Sequence, residues 1–76
     1  MPPAFDIENT FTYHAPQGTQ AERYVEIRDM AKQLAICISD LTPPSAEQTL
    51  ALRDVQRAVM MANAAIAINE AGKTPV

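Results

Sequence analysis

A chain of 76 residues makes one domain at most, and a single core of that size supplies only about 3–5 kcal/mol, so a disulfide, a metal or a partner subunit usually supplements it. One cysteine excludes an internal disulfide, one histidine without a Cys/His cluster argues against structural zinc, and a net charge of −3 argues against a non-specific DNA or RNA binder. The hydrophobic share of 47% fits a globular chain and not a disordered one, and no apolar run reaches the roughly 18 residues of a membrane span. Self-association is the remaining staple.

Residues 1–18 read as an irregular N-terminal arm broken by Pro2, Pro3, Pro16 and Gly18. Its start, "MPPAFDIENT", has neither the basic end nor the apolar centre of a signal peptide, and the free Cys37 fits a reducing cytoplasm. Within the arm, "NTFTYHAP" brings Phe11, Tyr13 and His14 together, in a chain with two Phe and two Tyr. One reading has these rings close the end of a helical core. The other makes them a stacking surface for a base, with hydroxyl donors at Thr12 and Tyr13.

"TQAE" predicts a capping box, with Thr19 accepting from the Glu22 amide and Glu22 reaching back to Thr19. A first helix follows from about Gln20 to Asp40. Its apolar residues Tyr24, Ile27, Ala31, Leu34, Ile38 and Leu41 recur at spacings of three and four, as in a heptad seam. "LTPPSAEQ" stops it, because Pro43 and Pro44 cannot continue a helix and each restricts the residue before it. Ser45 with Gln48 predicts a second capping box, and Glu47 suits the positive end of the helix dipole.

The second helix is expected from about Ala46 to Ala71, ended by Gly72 and Pro75. Leu52, Val55, Val59, Ala62 and Ile66 form one seam, and Ala51, Ala58, Met61, Ala65 and Ile68 lie beside it. A short hinge makes the two helices antiparallel neighbours, so the fold class is all-α, an antiparallel two-helix hairpin over residues 19–72 behind the arm. One helix covers one seam. The second stripe stays open, and an open apolar band marks an interface. Val59, Met61, Ala62, Ala65, Ile66 and Ile68, all within "AVMMANAAIAINE", are the expected oligomer contacts, with alanines allowing close approach and methionines filling gaps. Asn63, the lone amide in that run, is expected to hydrogen-bond within the assembly.

No catalytic constellation stands out. Cys37 reads as a buried structural thiol, with no histidine nearby in sequence to activate it. The carboxylates are scattered, and the two glycines make no phosphate loop or cofactor motif. Two basic pairs are more informative. Arg28 and Lys32, and Arg53 and Arg57, are each four apart, and like charges at that spacing repel unless an anion sits between them. On pattern alone, neutralisation by Asp29 and Asp54 is the stronger reading of both pairs. Rings that grip a base beside an arginine that takes phosphate would suit a small nucleotide.

"FTYHAP", "QAERYVEIRDMAKQLA", "TPPSAEQTLAL" and "AVMMANAAIAINE", in that order, resemble the helical-hairpin domain of phage cyclic-nucleotide sponges over about residues 9 to 70. That domain occurs in the phage anti-CBASS sponge and at the C-terminal end of one class of anti-Thoeris sponge. The short length favours the anti-CBASS type. The resemblance implies a homohexamer without enzymatic activity or cofactor, working in the cytoplasm of the infected bacterial host. It implies binding of the cyclic dinucleotides made by host CBASS cyclases, in pockets between protomers. Tyr13 matches the aromatic that stacks on the base, and Arg28, where relatives can carry lysine, matches the residue that meets phosphate; Thr12, His14 and Lys32 stand beside them. Some members also bind cyclic trinucleotides near a threefold axis. This chain departs from that second site, with Ile68 and Met61 where relatives often carry arginine and tryptophan; Arg53, Arg57 and Asn63 are candidates for it.

Three functional readings follow. The first is a sponge for CBASS cyclic nucleotides; the second, a sponge for cyclic ADP-ribose-type signals of Thoeris defence. The third is a structural or regulatory helical oligomer that binds another protein through its methionine–alanine face.

Overall fold

The computed structural model describes residues 5–70, and all its regular structure is helical. Three helices follow in order: α1, Ile7–Thr10; α2, Gln20–Leu41; and α3, Ala46–Glu70. The expected starts at Gln20 and Ala46 hold, and α2 runs one residue past Asp40. The expected breakers Pro2 and Pro3, and the stop at Ala71, Gly72 and Pro75, lie outside the described residues.

The arm contains a turn of helix that the breakers conceal. Asp6 caps α1 by accepting from the Asn9 amide at 3.1 Å. The arm then reaches α2 through a turn in which Gly18 has φ +56°, a left-handed conformation that glycine adopts without the penalty a Cβ would bring.

The first capping box does not form. Thr19 is the N-cap of α2 but makes no side-chain cap, and its hydroxyl accepts from Arg23 Nε at 3.1 Å. Gln20 supplies the reach-back instead: its Oε1 accepts from the Gln17 amide at 3.0 Å. The hinge capping box forms by half. Ser45 Oγ accepts from the Gln48 amide at 3.1 Å. The Gln48 side chain turns across the hinge and donates to the Thr42 carbonyl at 3.0 Å, the Thr42 hydroxyl at 3.1 Å and the Ser39 carbonyl at 3.3 Å. The last turn of α2 is thereby tied to the first turn of α3.

α2 packs along α3. On α3 the expected seam of Leu52, Val55, Val59, Ala62 and Ile66 is half-buried throughout. On α2 the line is Tyr24, Ile27, Ala31, Ala35 and Ile38. Leu34 and Leu41 were expected in that seam, yet they are 51% and 78% exposed. Small Ala31 and Ala35 take the line of closest approach and leave the longer Leu34 at the flank.

No hydrophobic residue is buried among those described. Two helices side by side shield each other on one face only, and the chain exposes 6266 Å², against about 4600 Å² for a compact monomer of this mass. The open flanks carry Met30, Met60 and Met61, each more than 60% exposed. Of the second stripe on α3, Ala58, Met61 and Ala65 are exposed, while Ala51 and Ile68 are half-buried. Cys37 corrects its expected burial: the thiol is exposed, because α3 covers only the opposite side of α2. No described helix is long and apolar enough to cross a membrane.

Candidate functional site

The arm is held against one end of the helix pair by a chain of polar contacts. Asn9 Nδ2 donates to the Ile68 carbonyl at 2.9 Å, which pins the end of α1 to the last turn of α3. His14 Nε2 donates to the Asn9 carbonyl at 2.7 Å, an arrangement that makes Nε2 the protonated nitrogen. Gln20 then bridges arm and hairpin, accepting from the Gln17 amide and donating through Nε2 to Glu70 Oε1 at 3.0 Å. Arg23 grips the same carboxylate with two prongs, Nη1 to Oε2 at 2.8 Å and Nη2 to Oε1 at 2.6 Å. Hydrogen bonding to Glu70 raises the Arg23 pKa above the ordinary guanidinium value, and desolvation opposes it.

These contacts enclose a pocket of about 160 Å³ lined by Tyr13, His14, Ala15, Gln17, Gln20, Ala67 and Glu70. Tyr13 stands at its rim, 84% exposed. The rings do not close a helical core. Phe11 is 77% exposed and pairs with Phe5 at 6.2 Å between centroids, outside the helix pair. Thr12 donates its hydroxyl to the Glu8 carbonyl, extending the α1 turn.

Two grooves flank the line Ala31–Val55–Val59. One, of about 510 Å³, is walled by Arg28, Lys32, Gln56, Met60 and Asn63 over an apolar floor. The other, of about 680 Å³, is apolar, lined by Ile27, Met30, Leu34, Ala58 and Ala62 with Asp54 at its edge. Neither Arg28 nor Lys32 has a hydrogen bond or ion pair among the described residues, so Asp29 does not neutralise the first basic pair. The second pair differs: Arg57 meets Asp54 at 3.6 Å, as its spacing suggested, and neither Arg53 nor Arg57 lines these grooves. Asn63 is the more informative of the second-site candidates. It faces the Arg28 groove, and its Oδ1 is buried without a hydrogen-bond partner. A buried acceptor left unmatched costs about 1–3 kcal/mol, and no donor among the described residues meets this one.

Tyr13 and Arg28 therefore line different pockets of one chain. The two are close neighbours along the hairpin, since Asn63 in one and Ala67 in the other are four residues apart on the same face of α3. Of the expected interface residues, Val59, Ala62 and Ile66 are half-buried, Met61 and Ala65 are exposed, and Ile68 lends its carbonyl to the arm. Sequence reading missed Gln20, Arg23 and Glu70. A pair separated by 47 residues leaves no local spacing to find.

The chain belongs to the Acb2/Tad1 hairpin domain family, whose model matches residues 5–67. The match begins inside the arm and ends within α3. This is a family of sponge-type anti-defence proteins that bind small nucleotide signals. Comparison with curated proteins and with solved structures returned no match.

Proposed function

We propose that this protein is a phage anti-CBASS sponge that binds and sequesters cyclic dinucleotide signals of the bacterial host, and so keeps them from their effector. Its unit is an antiparallel two-helix hairpin with a ligand-contacting arm, assembled as a homohexamer. The observation that carries this reading is the pairing of an exposed ring in a docked arm, Tyr13, with two unneutralised cations in an adjoining groove, Arg28 and Lys32. Rings stack on any base, and an arginine fork matches phosphate oxygens. In the assembly Tyr13 of one chain and Arg28 of another close on one ligand. Thr12 and His14 border the base, and Lys32 adds to the phosphate field.

The unmatched Asn63 Oδ1 supports a site completed from outside the chain. The absence of buried hydrophobic residues among those described supports assembly through the bare flanks, with Met61 and Ala65 at the contact. Arg53, Arg57 and Asn63 are the residues to vary if cyclic trinucleotides also bind. The protein acts by equilibrium binding, without chemistry on the ligand. Ligand that bridges chains raises the melting temperature of the assembly by mass action.

A second reading is a sponge for cyclic ADP-ribose-type signals of Thoeris defence, because the matched hairpin domain is common to Acb2 and Tad1. Calorimetric titration with cyclic dinucleotides, cyclic trinucleotides and cyclic ADP-ribose compounds decides between them. Tyr13→Ala and Arg28→Ala should each weaken the preferred ligand at least about tenfold, or about 1.4 kcal/mol. Unchanged affinity in both variants removes this site.

A further inference from the structure

We propose that Gln20 is a positioning residue, whose carboxamide, anchored on the Arg23–Glu70 ion pair, sets the pose of the arm and with it the ring of Tyr13. This rests on the reading of Tyr13 as a ligand contact. It adds the residue that holds Tyr13 in place.

Gln20 is the one buried residue among those described, at 8% exposure, and the described hydrophobic residues all remain partly open. A buried glutamine gives up rotamer freedom and must find partners for both ends of its amide. Gln20 does so across the junction of arm and hairpin. Its Oε1 accepts from the Gln17 amide and its Nε2 donates to Glu70 Oε1, both at 3.0 Å. Its own amide donates to the Gln17 carbonyl, also at 3.0 Å, so Gln17 and Gln20 are joined twice around Gly18. Glu70 is held in turn by the Arg23 fork, which keeps its carboxylate aimed at Gln20.

Tyr13 lies midway along the tethered arm. The Asn9–Ile68 bond fixes the chain four residues before it, and the Gln17–Gln20 bonds fix the chain four residues after it. The pocket at whose rim Tyr13 stands has Gln17, Gln20 and Glu70 as its walls. Without the Gln20 carboxamide, the stretch between Asn9 and the start of α2 would keep only the backbone bond from the Gln20 amide to the Gln17 carbonyl and would lose its link to Glu70. Ordering it would then be charged against ligand binding, which is the cost that preorganisation removes.

The test combines amide exchange with binding. In Gln20→Ala the Gln17 amide should exchange at least about tenfold faster, and affinity for cyclic di-adenylate and cyclic adenylate–guanylate should fall about tenfold. Joined to Tyr13→Ala, Gln20→Ala should cost less than about twofold more, because the ring it positions is already gone. Losses that simply multiply, or unchanged exchange at Gln17, would overturn the proposal. Gln20→Glu sets a carboxylate against Glu70, and adding Glu70→Gln restores a donor–acceptor pair of reversed polarity. The double swap should recover Gln17 protection and affinity relative to Gln20→Glu alone; no recovery counts against positioning even if Gln20→Ala fails to fold. If the wild-type protein binds no nucleotide, the proposed function fails, while Gln17 exchange in these variants still decides whether Gln20 holds the arm.

Discussion

Arg23 and Glu70 meet as a two-pronged ion pair, at 2.8 and 2.6 Å, and so join the first turn of α2 to the last residue of α3. Both side chains are more than a third exposed, so water screens the pair and its main return is geometric. The Arg23 pKa is raised by Glu70, so the contribution of this titration is fully present below the unfolded guanidinium value and is lost only above it. Arg23→Met should lower the melting temperature slightly, by an amount that stays constant between about pH 7 and pH 10. A difference that shrinks steadily over that window would contradict the assignment.

The hinge is capped by Ser45, whose hydroxyl takes the Gln48 amide. Ser45→Ala should cost about 1 kcal/mol, and Ser45→Gly only a few tenths. For a domain of this size that first change is roughly 4–8 °C in melting temperature, readable by circular dichroism. Gln48→Ala should lower it too, since Nε2 crosses the hinge to Ser39 and Thr42. Melting temperatures unmoved by Ser45→Ala would show that the two prolines close the hinge unaided.

Much of this fold is legible in the sequence because it is local. Pro43 and Pro44 announce the hinge, and the spacing of Leu52, Val55, Val59, Ala62 and Ile66 announces the face of α3. What escapes is settled by competition between neighbours or over long separations. Thr19 fits a cap, yet Arg23 takes its hydroxyl and Gln20 reaches back in its place. Leu34 fits the heptad as well as Ala35 does, and only the approach of α3 selects the smaller residue. Cys37 sits in an apolar run, but two helices cannot cover every side of each other. Tyr13 and Arg28 are candidates that residue type and resemblance suggest. The network that docks the arm is not legible, since Asn9 to Ile68 and Gln20 to Glu70 span 59 and 50 residues.

The bare flanks predict assembly. Light scattering should give a mass several times 8.3 kDa, and the melting temperature should rise with protein concentration. Met61, 63% exposed in the single chain, is the sensitive position. Met61→Lys should shift the population toward smaller species while each chain keeps its helices. A wild-type monomer at all concentrations would sink the assembly and favour a partner protein on this face.

The Arg28 groove predicts salt-dependent binding. Arg28→Lys keeps the charge and loses the fork, so it should weaken the cyclic dinucleotide less than Arg28→Ala. Raising ionic strength should weaken the wild type more than Arg28→Ala, because the variant has one fewer cation to screen. Equal salt slopes would take Arg28 away from the phosphate.

The central claim is that the protein holds a cyclic dinucleotide without transforming it. The direct measurement isolates the protein with bound cyclic di-adenylate or cyclic adenylate–guanylate, denatures it by heat, and identifies what is released by chromatography and mass spectrometry. Intact cyclic ligand, in a fixed ratio to protein, is the expected result. Linear or hydrolysed nucleotide, or no ligand retained at all, would contradict it.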